Sequence, residues 1–238
     1  MRIALIGYGK MGQAIESIAV AKGHEVVLKI DINNAADLNK ENMAKAEVAI
    51  EFTGPHSAFA NVMKCMELGI PVVCGSTGWL DKWAEAKKYC EEQKGTLLYA
   101  SNYSIGVNLF FELNTCLAKL MHHHTDYHVM MEEIHHAQKK DAPSGTAITL
   151  AEQVLQHITE KKQWVNHLSH NPEDLEIISK RIDPAPGTHK IKYSSEIDNI
   201  EIIHTAHNRI GFAGGAVLAA EFVVGKTGIF GMKEVLGL

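Results

Sequence analysis

The sequence predicts an α/β protein with a doubly wound parallel sheet, followed by a second domain of the α+β class. In the first hundred residues, short apolar runs alternate with helical segments, as they do in βαβ units. A glycine-rich turn follows the first apolar run directly. After Ser104 the order changes to long helical segments followed by strand-like runs, which is typical of a separate α+β domain.

The amino-terminal turn has the pattern of a dinucleotide-binding loop. Residues 2–6 read as a buried strand, and the sequence GYGKMG follows and opens a helical segment. In this strand–turn–helix context, G-x-G-x-x-G lets a pyrophosphate approach the backbone at the helix N-terminus. Asp31 ends the next strand about 20 residues later, where a carboxylate suits the ribose hydroxyls of NAD. The predicted Rossmann-like domain would bind its cofactor through Gly7, Tyr8, Gly9, Lys10, Met11, Gly12 and Asp31.

Three later loops are expected at the same edge of the sheet. They follow the predicted strands at residues 48–52, 72–74 and 96–100, and the first of them is Thr53-Gly54-Pro55. Right-handed crossovers bring the carboxyl ends of parallel strands to one edge, where ligands bind. Further cofactor contacts are therefore expected from Gly75, Ser76, Thr77, Ala100, Ser101, Asn102 and Tyr103.

Composition excludes several classes of partner. With 238 residues and a net charge of −5, the chain has no basic footprint for nucleic acid or an anionic membrane. Its most apolar late stretch, residues 213–224, is too short to span a bilayer and contains Glu221. The four cysteines lack paired spacing, which predicts reduced thiols and a cytoplasmic protein. No metal site is predicted, because His122, His123 and His124 suit a helix C-terminus better than one ion.

The segment from Glu133 to Ala147, EIHHAQKKDAPSGTA, carries the most chemical information. It places two imidazoles and two ammonium groups ahead of a Ser-Gly-Thr turn that opens an apolar helix. Amides at a helix N-terminus attract a carboxylate, and a nearby imidazole or ammonium can donate a proton. The segment therefore predicts a pocket for a small acid, with acid chemistry beside it.

Taken together, these motifs resemble the dihydrodipicolinate reductase family over nearly the whole chain. The family pattern E-x-H-H-x-x-K-x-D-A-P-S-G-T-A is matched at every fixed position from Glu133 to Ala147. Residues 75–79 resemble the family's G-T-T-G-F cofactor loop. Residues 100–108 resemble its A-x-N-F-S-x-G-V-N hinge, with tyrosine in place of phenylalanine.

The resemblance implies NAD(P)H-dependent reduction of 4-hydroxy-tetrahydrodipicolinate to tetrahydrodipicolinate, in diaminopimelate and lysine biosynthesis. It implies that Lys139 donates the proton and that His135 assists as the second catalytic residue. It also implies a homotetramer built on the second domain. The substrate dicarboxylate would be held by His136, Ser144, Gly145, Thr146 and Arg209.

The expected domains are a dinucleotide-binding domain at residues 1–104, completed by 210–238, and a substrate and oligomerisation domain at 105–209. NADH is favoured over NADPH as the cofactor, because no arginine follows Asp31 to meet a 2′-phosphate. Two other functions stay open at this point. One is a related NAD-dependent amino-acid or imino-acid dehydrogenase. The other is an NADH sensor without catalysis, which would have no use for the His135–Lys139 cluster.

Overall fold

The computed structural model describes residues 1–208 and 210–238. The chain forms two compact units, one of Met1–Ile105 with Ile210–Leu238 and the other of Gly106–Arg209. Each unit has its own sheet and its own apolar core. Arg209, which was predicted to bind substrate, lies outside the described residues.

The first unit is built on a six-stranded parallel sheet with the order β11-β5-β4-β3-β1-β2. Its strands are β1 (Arg2–Ile6), β2 (Glu25–Ile30), β3 (Val48–Glu51), β4 (Val72–Cys74), β5 (Thr96–Tyr99) and β11 (Gly228–Phe230). Its helices are α1 (Lys10–Ala21), α2 (Lys40–Met43), α3 (Ala58–Glu67), α4 (Trp83–Glu92), α7 (Ile210–Val223) and α8 (Met232–Leu236).

Both faces of this sheet are covered, which explains why its central strands are apolar without interruption. Successive side chains of a strand point to opposite faces. Accordingly Ile3 and Leu5 belong to a core with helices α1 and α7, whereas Ala4 and Ile6 belong to a core with α3 and α4. The predicted doubly wound sheet is confirmed.

The strand order places a topological switch point between β1 and β3. From β1 the chain crosses to β2 on one side, and it later returns to β3 on the other. Open parallel sheets bind ligands at the carboxyl ends of the strands beside such a point. The glycine turn after β1 and the Thr53–Gly54 turn after β3 both lie there.

The second unit contains a mixed five-stranded sheet with the order β10-β9-β6-β8-β7. Strand β6 runs parallel to β8 and antiparallel to β9. Its core joins one face of the sheet to helices α5 and α6. The elements are α5 (Ile105–Met121), β6 (His128–His135), α6 (Gly145–Leu155), β7 (Gln163–Val165), β8 (Asp174–Arg181), β9 (Gly187–Ser194) and β10 (Asn199–Ala206).

The predicted α+β character of the second unit is confirmed. Helix α5 ends at Met121, so the histidine run His122–His124 follows its C-terminus as the sequence predicts. Among the described residues, no helix combines the length and the apolar character needed to cross a bilayer.

Candidate active site

The glycine turn between β1 and α1 is closed by backbone on its inner side. Gly7 has φ +98°, and a Cβ there would lie 2.1 Å from the carbonyl oxygen of Phe52. A Cβ on Gly12 would lie 2.3 Å from the carbonyl oxygen of Gly7. At Gly9, the N-cap of α1, a Cβ would have nothing within 4 Å. The turn therefore leaves open space at Gly9, where a pyrophosphate would approach the helix N-terminus.

A cavity of about 580 Å³ adjoins this turn within the first unit. That volume is in the range of small-molecule and cofactor sites, and such a site fits one end of a dinucleotide. Of the predicted cofactor residues, Gly7, Tyr8, Gly9 and Asp31 line the cavity. The other lining residues are Ile6, Ile30, Ile32, Ala35, Leu38, Phe52, Thr53, Gly54, Pro55, His56, Ser57 and Asn61.

Asp31 is held at the rim of this cavity by a local turn. The Asn33 N–H donates to Asp31 Oδ1 at 2.7 Å, and the Asp31 N–H donates to Asn34 Oδ1 at 2.7 Å. Two residues earlier, near the end of β2, the Lys29 ammonium is paired with Glu16 at 2.5 Å. The positive charge of Lys29, near Asp31, is thus already paired with the Glu16 carboxylate.

The loop after β4 is locked to the loop after β3. The Thr53 N–H donates to Ser76 Oγ at 2.8 Å, and Ser76 is buried. A Cβ on Gly75 would lie 2.2 Å from the ring of Phe52. The predicted loop Gly75-Ser76-Thr77 is therefore brought to the same sheet edge as the glycine turn, although it does not line the cavity beside that turn.

The predicted cofactor residues Ala100–Tyr103 turn their side chains in different directions. The Tyr103 hydroxyl is buried and donates to the carbonyl oxygen of Cys74 at 2.8 Å. Asn102 Oδ1 accepts the Ser104 N–H at 2.9 Å, and Ser101 is exposed. Tyr103 therefore acts as a core residue of the first unit, and any cofactor contact from it would come from its backbone.

The predicted catalytic residues of the second unit lie at the end of β6. Along β6 the buried positions alternate, so Val129, Met131, Glu133 and His135 share one face. The register of β8 places Ser179 beside Glu133 and Arg181 beside His135. The register of β9 places His189 opposite Glu133. One face of the sheet thus changes from apolar to ionisable within a single strand.

Glu133 is the centre of this polar group. Its side chain is fully buried, and it accepts hydrogen bonds from the Ser144 N–H at 3.0 Å, Ser179 Oγ at 2.7 Å and Arg181 Nη2 at 3.2 Å. Burial alone would raise the pKa of this carboxyl, but His135 and the hydroxyl and amide donors hold it well below its ordinary value. Glu133 is therefore charged at neutral pH.

His189 is a second buried imidazole, beside His135. Its Nε2 lies 3.1 Å from Ser144 Oγ and 3.8 Å from Glu133 Oε2. Burial, together with the neighbouring His135, lowers the pKa of His189 to about 4. His189 is therefore neutral at pH 7, and its Nε2 can accept a hydrogen bond from the Ser144 hydroxyl.

Lys139 lies on the segment that connects β6 to α6. Its ammonium is half-buried and contacts both carboxylate oxygens of Asp141 at 2.8 Å, which lowers the pKa of the Asp141 carboxyl. His136 is half-buried and Lys140 is exposed. The structure therefore brings Lys139, His135 and the start of α6 to the same end of the sheet.

The start of α6 has the geometry expected of a carboxylate site. Ser144 is its N-cap, and Ser144 Oγ accepts the Ala147 N–H at 3.2 Å. Ser144 also donates its own N–H to Glu133, so its polar groups are already in use. The amides at this helix start can attract a ligand carboxylate, and substrate contacts from Ser144, Gly145 and Thr146 stay predictions.

Glu133, His135 and His189 are also close enough to hold a metal ion, since one ligand atom of each lies within 4.8 Å of the others. However, the guanidinium of Arg181 already neutralises the Glu133 carboxylate. His189 is likewise engaged by Ser144. We therefore assign Glu133 and His189 to hydrogen bonding and propose no metal at this group.

Three residues of this group were given no site role from the sequence: the buried Glu133 and His189, and the partly buried Arg181. The alternation along β6 places Glu133 on the same face as His135, and this signal was present in the sequence. Arg181 and His189 come from later strands, and only the pairing of those strands with β6 brings them near. In the first unit, the buried carboxylate of Glu51, which accepts the Thr53 N–H at 3.1 Å, was likewise missed.

We expect the second unit to lose stability as the pH falls from about 6.5 to about 4. The pKa of His189 is about 4 in the folded chain against an ordinary 6.5, so the unfolded chain binds more protons in that interval. The lowered pKa values of His128 and His204 act in the same direction. Urea unfolding followed at several pH values measures this slope.

The matched variants for this test are His189→Asn and His123→Asn. The first removes a buried imidazole and should reduce the loss of stability between pH 6.5 and 4.5, while the second changes an exposed histidine and should not. An equal pH slope in both variants would contradict the assignment to His189.

Comparison with known proteins identifies the family. The model described as Dihydrodipicolinate reductase, N-terminus, matches residues 1–103, and the one described as Dihydrodipicolinate reductase, C-terminus, matches residues 106–236. The chain belongs to the dihydrodipicolinate reductase family. The family predicted from the sequence is therefore confirmed, and with it the prediction of an oxidoreductase with a dinucleotide-binding Rossmann-type domain.

Relatives of this reductase family align over nearly their full length. A 4-hydroxy-tetrahydrodipicolinate reductase from Christiangramia forsetii is 52% identical, covering 99% of this chain and 98% of that protein. One from Neisseria meningitidis serogroup C is 33% identical, covering 94% of this chain and 84% of that protein. The match to these reductases extends through both units.

Solved structures show the same fold. A dipicolinate-bound dihydrodipicolinate reductase from Paenisporosarcina sp. TG-14 superposes with a TM-score of 0.79 at 24% identity, covering 97% of each chain. GenD2 from gentamicin A biosynthesis, in complex with NAD, gives a TM-score of 0.59 at 11% identity, covering 94% of this chain and 86% of that one. The fold of this chain is thus similar to that of a dihydrodipicolinate reductase and, more distantly, to that of an NAD-bound protein.

Proposed function

We propose that this protein catalyses the NAD(P)H-dependent reduction of 4-hydroxy-tetrahydrodipicolinate to tetrahydrodipicolinate, in diaminopimelate and lysine biosynthesis. The observation that carries the proposal is the convergence of Lys139, His135 and the first turn of α6 at one end of the second sheet. A nucleotide-binding module alone would need only the glycine turn of the first unit. The 52% identity to a reductase of this name over both units supports the same reaction.

In the first unit, the open space at Gly9 and the N-terminus of α1 would receive the pyrophosphate of the cofactor, and Asp31 would bind its ribose. NAD(P)H, when bound, supplies the hydride. Tyr8, Lys10, Met11 and Gly12 shape the same turn. The loops at Gly75–Thr77 and Ala100–Tyr103 would complete the binding surface at the carboxyl edge of the sheet.

In the second unit, the amides of Gly145 and Thr146 would bind a substrate carboxylate at the N-terminus of α6. His136 and Arg209 would bind the rest of the dicarboxylate. Loss of the 4-hydroxyl as water would turn the substrate into a conjugated imine, dihydrodipicolinate. Hydride transfer to this imine builds negative charge on the substrate, and the Lys139 ammonium can neutralise that charge by giving up a proton. Asp141 holds this ammonium in place, at 2.8 Å. His135, beside Lys139, would polarise the substrate imine.

NADH is proposed as the preferred cofactor, with NADPH as an accepted alternative. We expect Asp31→Ala to raise the KM for NADH by about tenfold, because one charge-assisted hydrogen bond to the ribose is lost. The KM for NADPH should change less, since the 2′-phosphate repels the wild-type carboxylate. Steady-state kinetics with both cofactors measure the ratio, and a larger loss with NADPH would contradict the proposed preference.

The proposal includes a homotetramer assembled through residues 105–209 and a cytoplasmic location. The four cysteines, Cys65, Cys74, Cys90 and Cys116, are all free thiols, which suits a reducing compartment.

The direct test supplies the product of pyruvate and aspartate semialdehyde condensation and follows NADH by absorbance. We expect consumption with that product, none with pyruvate alone, and competitive inhibition by dipicolinate, a flat diacid of similar shape. NADH consumption with simple 2-oxo acids and ammonia, but not with the condensation product, would favour an amino-acid dehydrogenase instead.

A further inference from the structure

The segment Ala137–Ala142, which carries Lys139, has no regular secondary structure of its own and is held by strand β8 and the turn after it. The Ala137 N–H donates to Asp183 Oδ1 at 3.1 Å. Arg181 Nη2 donates to the carbonyl oxygen of Asp141 at 2.6 Å, and Arg181 Nε to that of Lys139 at 3.4 Å. These contacts make the position of Ala137–Ala142, which we call the Lys139 segment, depend on where the Arg181 guanidinium lies.

The guanidinium of Arg181 is fixed in turn by Glu133. Arg181 Nη2 lies 3.2 Å from Glu133 Oε1, which also accepts the Ser179 hydroxyl at 2.7 Å. Glu133 is fully buried, and the Arg181 side chain is 21% exposed. In this setting a buried carboxylate without its cation would be strongly unfavourable, so the pair holds one geometry.

The second oxygen of the Glu133 carboxylate contacts the start of α6 and lies near the His135 imidazole. Glu133 Oε2 accepts the N–H of Ser144, the N-cap of α6, at 3.0 Å. It also lies 3.5 Å from His135 Nε2, a buried nitrogen without a hydrogen-bond partner of good geometry among the described residues. One carboxylate thus connects the Lys139 segment, the His135 imidazole and the helix start.

We propose that Glu133 and Arg181 are positioning residues that set the Lys139 ammonium and the His135 imidazole relative to the α6 N-terminus for proton delivery. The inference rests on the proposed function for its chemistry, but the connection itself is structural. Neither residue is expected to contact substrate. Their loss should displace the groups that do, and a displacement of about 1 Å can cost about 100-fold in rate.

The variant Arg181→Lys separates position from charge. Lysine keeps the positive charge beside Glu133, but a single ammonium cannot reproduce the fork that reaches Glu133, Lys139 O and Asp141 O together. We expect kcat to fall about 10- to 100-fold, with the KM for NADH unchanged within about twofold. We also expect the pH profile of kcat to shift, because the proton donor changes its surroundings.

Glu133→Gln provides the complementary variant, because it keeps the shape of the side chain and removes the charge that holds Arg181. It should show the same kcat loss and the same unchanged KM for NADH. The matched control is Glu132→Gln, one residue earlier on β6. Glu132 is paired with Lys180 on the neighbouring strand, away from the buried face, and this substitution should leave kcat within about twofold.

Hydrogen–deuterium exchange gives a readout that does not require turnover. In Arg181→Lys, the amides of residues 137–142 should exchange faster, while those of β6 and β8 keep their protection. If the wild type proves inactive on the proposed substrate, the proposed function fails. The exchange measurement still tests whether Arg181 holds the Lys139 segment in place.

The inference is overturned if Arg181→Lys retains wild-type kcat and wild-type exchange in the Lys139 segment. It is also overturned if Arg181→Lys lowers the unfolding midpoint as its sole effect, or if Glu132→Gln reduces kcat as much as Glu133→Gln does. Should Glu133→Gln fail to fold, Arg181→Lys decides the question alone.

Discussion

Replacement of Lys139 by alanine is expected to lower kcat for imine reduction by about 10²- to 10⁴-fold, the range typical of a lost general acid. The Lys139 ammonium is half-buried, held by Asp141, and lies at the same end of the sheet as His135 and the start of α6. Removing it takes away both the proton and a positive charge at this end of the sheet. Stopped-flow or steady-state measurement of NADH oxidation at saturating substrate gives the ratio.

The control for this experiment is Lys140→Ala, which removes an exposed lysine one residue later and should leave kcat within about twofold. Affinity for NADH, measured by fluorescence titration, should be unchanged in both variants, because Lys139 and Lys140 lie outside the nucleotide-binding turns. Equal losses of kcat in the two variants, or a loss of NADH affinity in Lys139→Ala, would show that the proton donor has been misassigned.

The second large effect is expected at Gly9. Gly9→Val should raise the dissociation constant for NADH by roughly tenfold or more, because the new side chain would occupy the space through which the pyrophosphate approaches the α1 N-terminus. The fold should tolerate valine, since a Cβ at Gly9 meets nothing within 4 Å and the backbone there has φ −82°. Calorimetric titration should therefore show weaker NADH binding by Gly9→Val, while thermal unfolding should show a Tm close to that of the wild type.

Gly12→Ala is the matched comparison in the same turn. Its Cβ would lie 2.3 Å from the carbonyl oxygen of Gly7, a backbone atom that cannot easily move. We expect Gly12→Ala to lower the Tm by about 5 °C, because the new methyl overpacks the contact between strand and helix. The cofactor interpretation of Gly9 would be wrong if Gly9→Val destabilised the chain equally while NADH affinity stayed intact.

The sequence was most informative where one local pattern determines both structure and chemistry. The glycine turn after β1 and the Ser144 N-cap of α6 are local motifs, so their positions could be predicted without knowing any strand partner. The three-residue strands β7 and β11 were missed, whereas β4, of the same length, was predicted. β4 is a fully buried apolar run, while β7 and β11 are only partly buried and too short to show a period of two. Each is defined by its neighbour in the sheet rather than by its own sequence.

The same distinction separates the predicted site residues from the missed ones. His135, Lys139 and Ser144 lie within ten residues of one another and could be grouped by sequence. Arg181 and His189 come 48 and 56 residues after Glu133, and they reach it only through the register of β8 and β9 with β6. Tyr103 shows the opposite case, because a loop position suggested cofactor binding while its side chain is buried in the core.

The position of helix α7 in the chain affects how the first unit can fold during synthesis. It lies after the second unit in the chain, yet its small residues Ala213, Ala216 and Val217 fill the core against which Ile3 and Leu5 pack. A nascent chain that has emerged from the ribosome only as far as β10 would therefore expose the part of this sheet face that α7 covers in the folded chain. Completion of the first unit must wait until α7 has been synthesised, and until then the uncovered apolar surface is a target for chaperones or for aggregation.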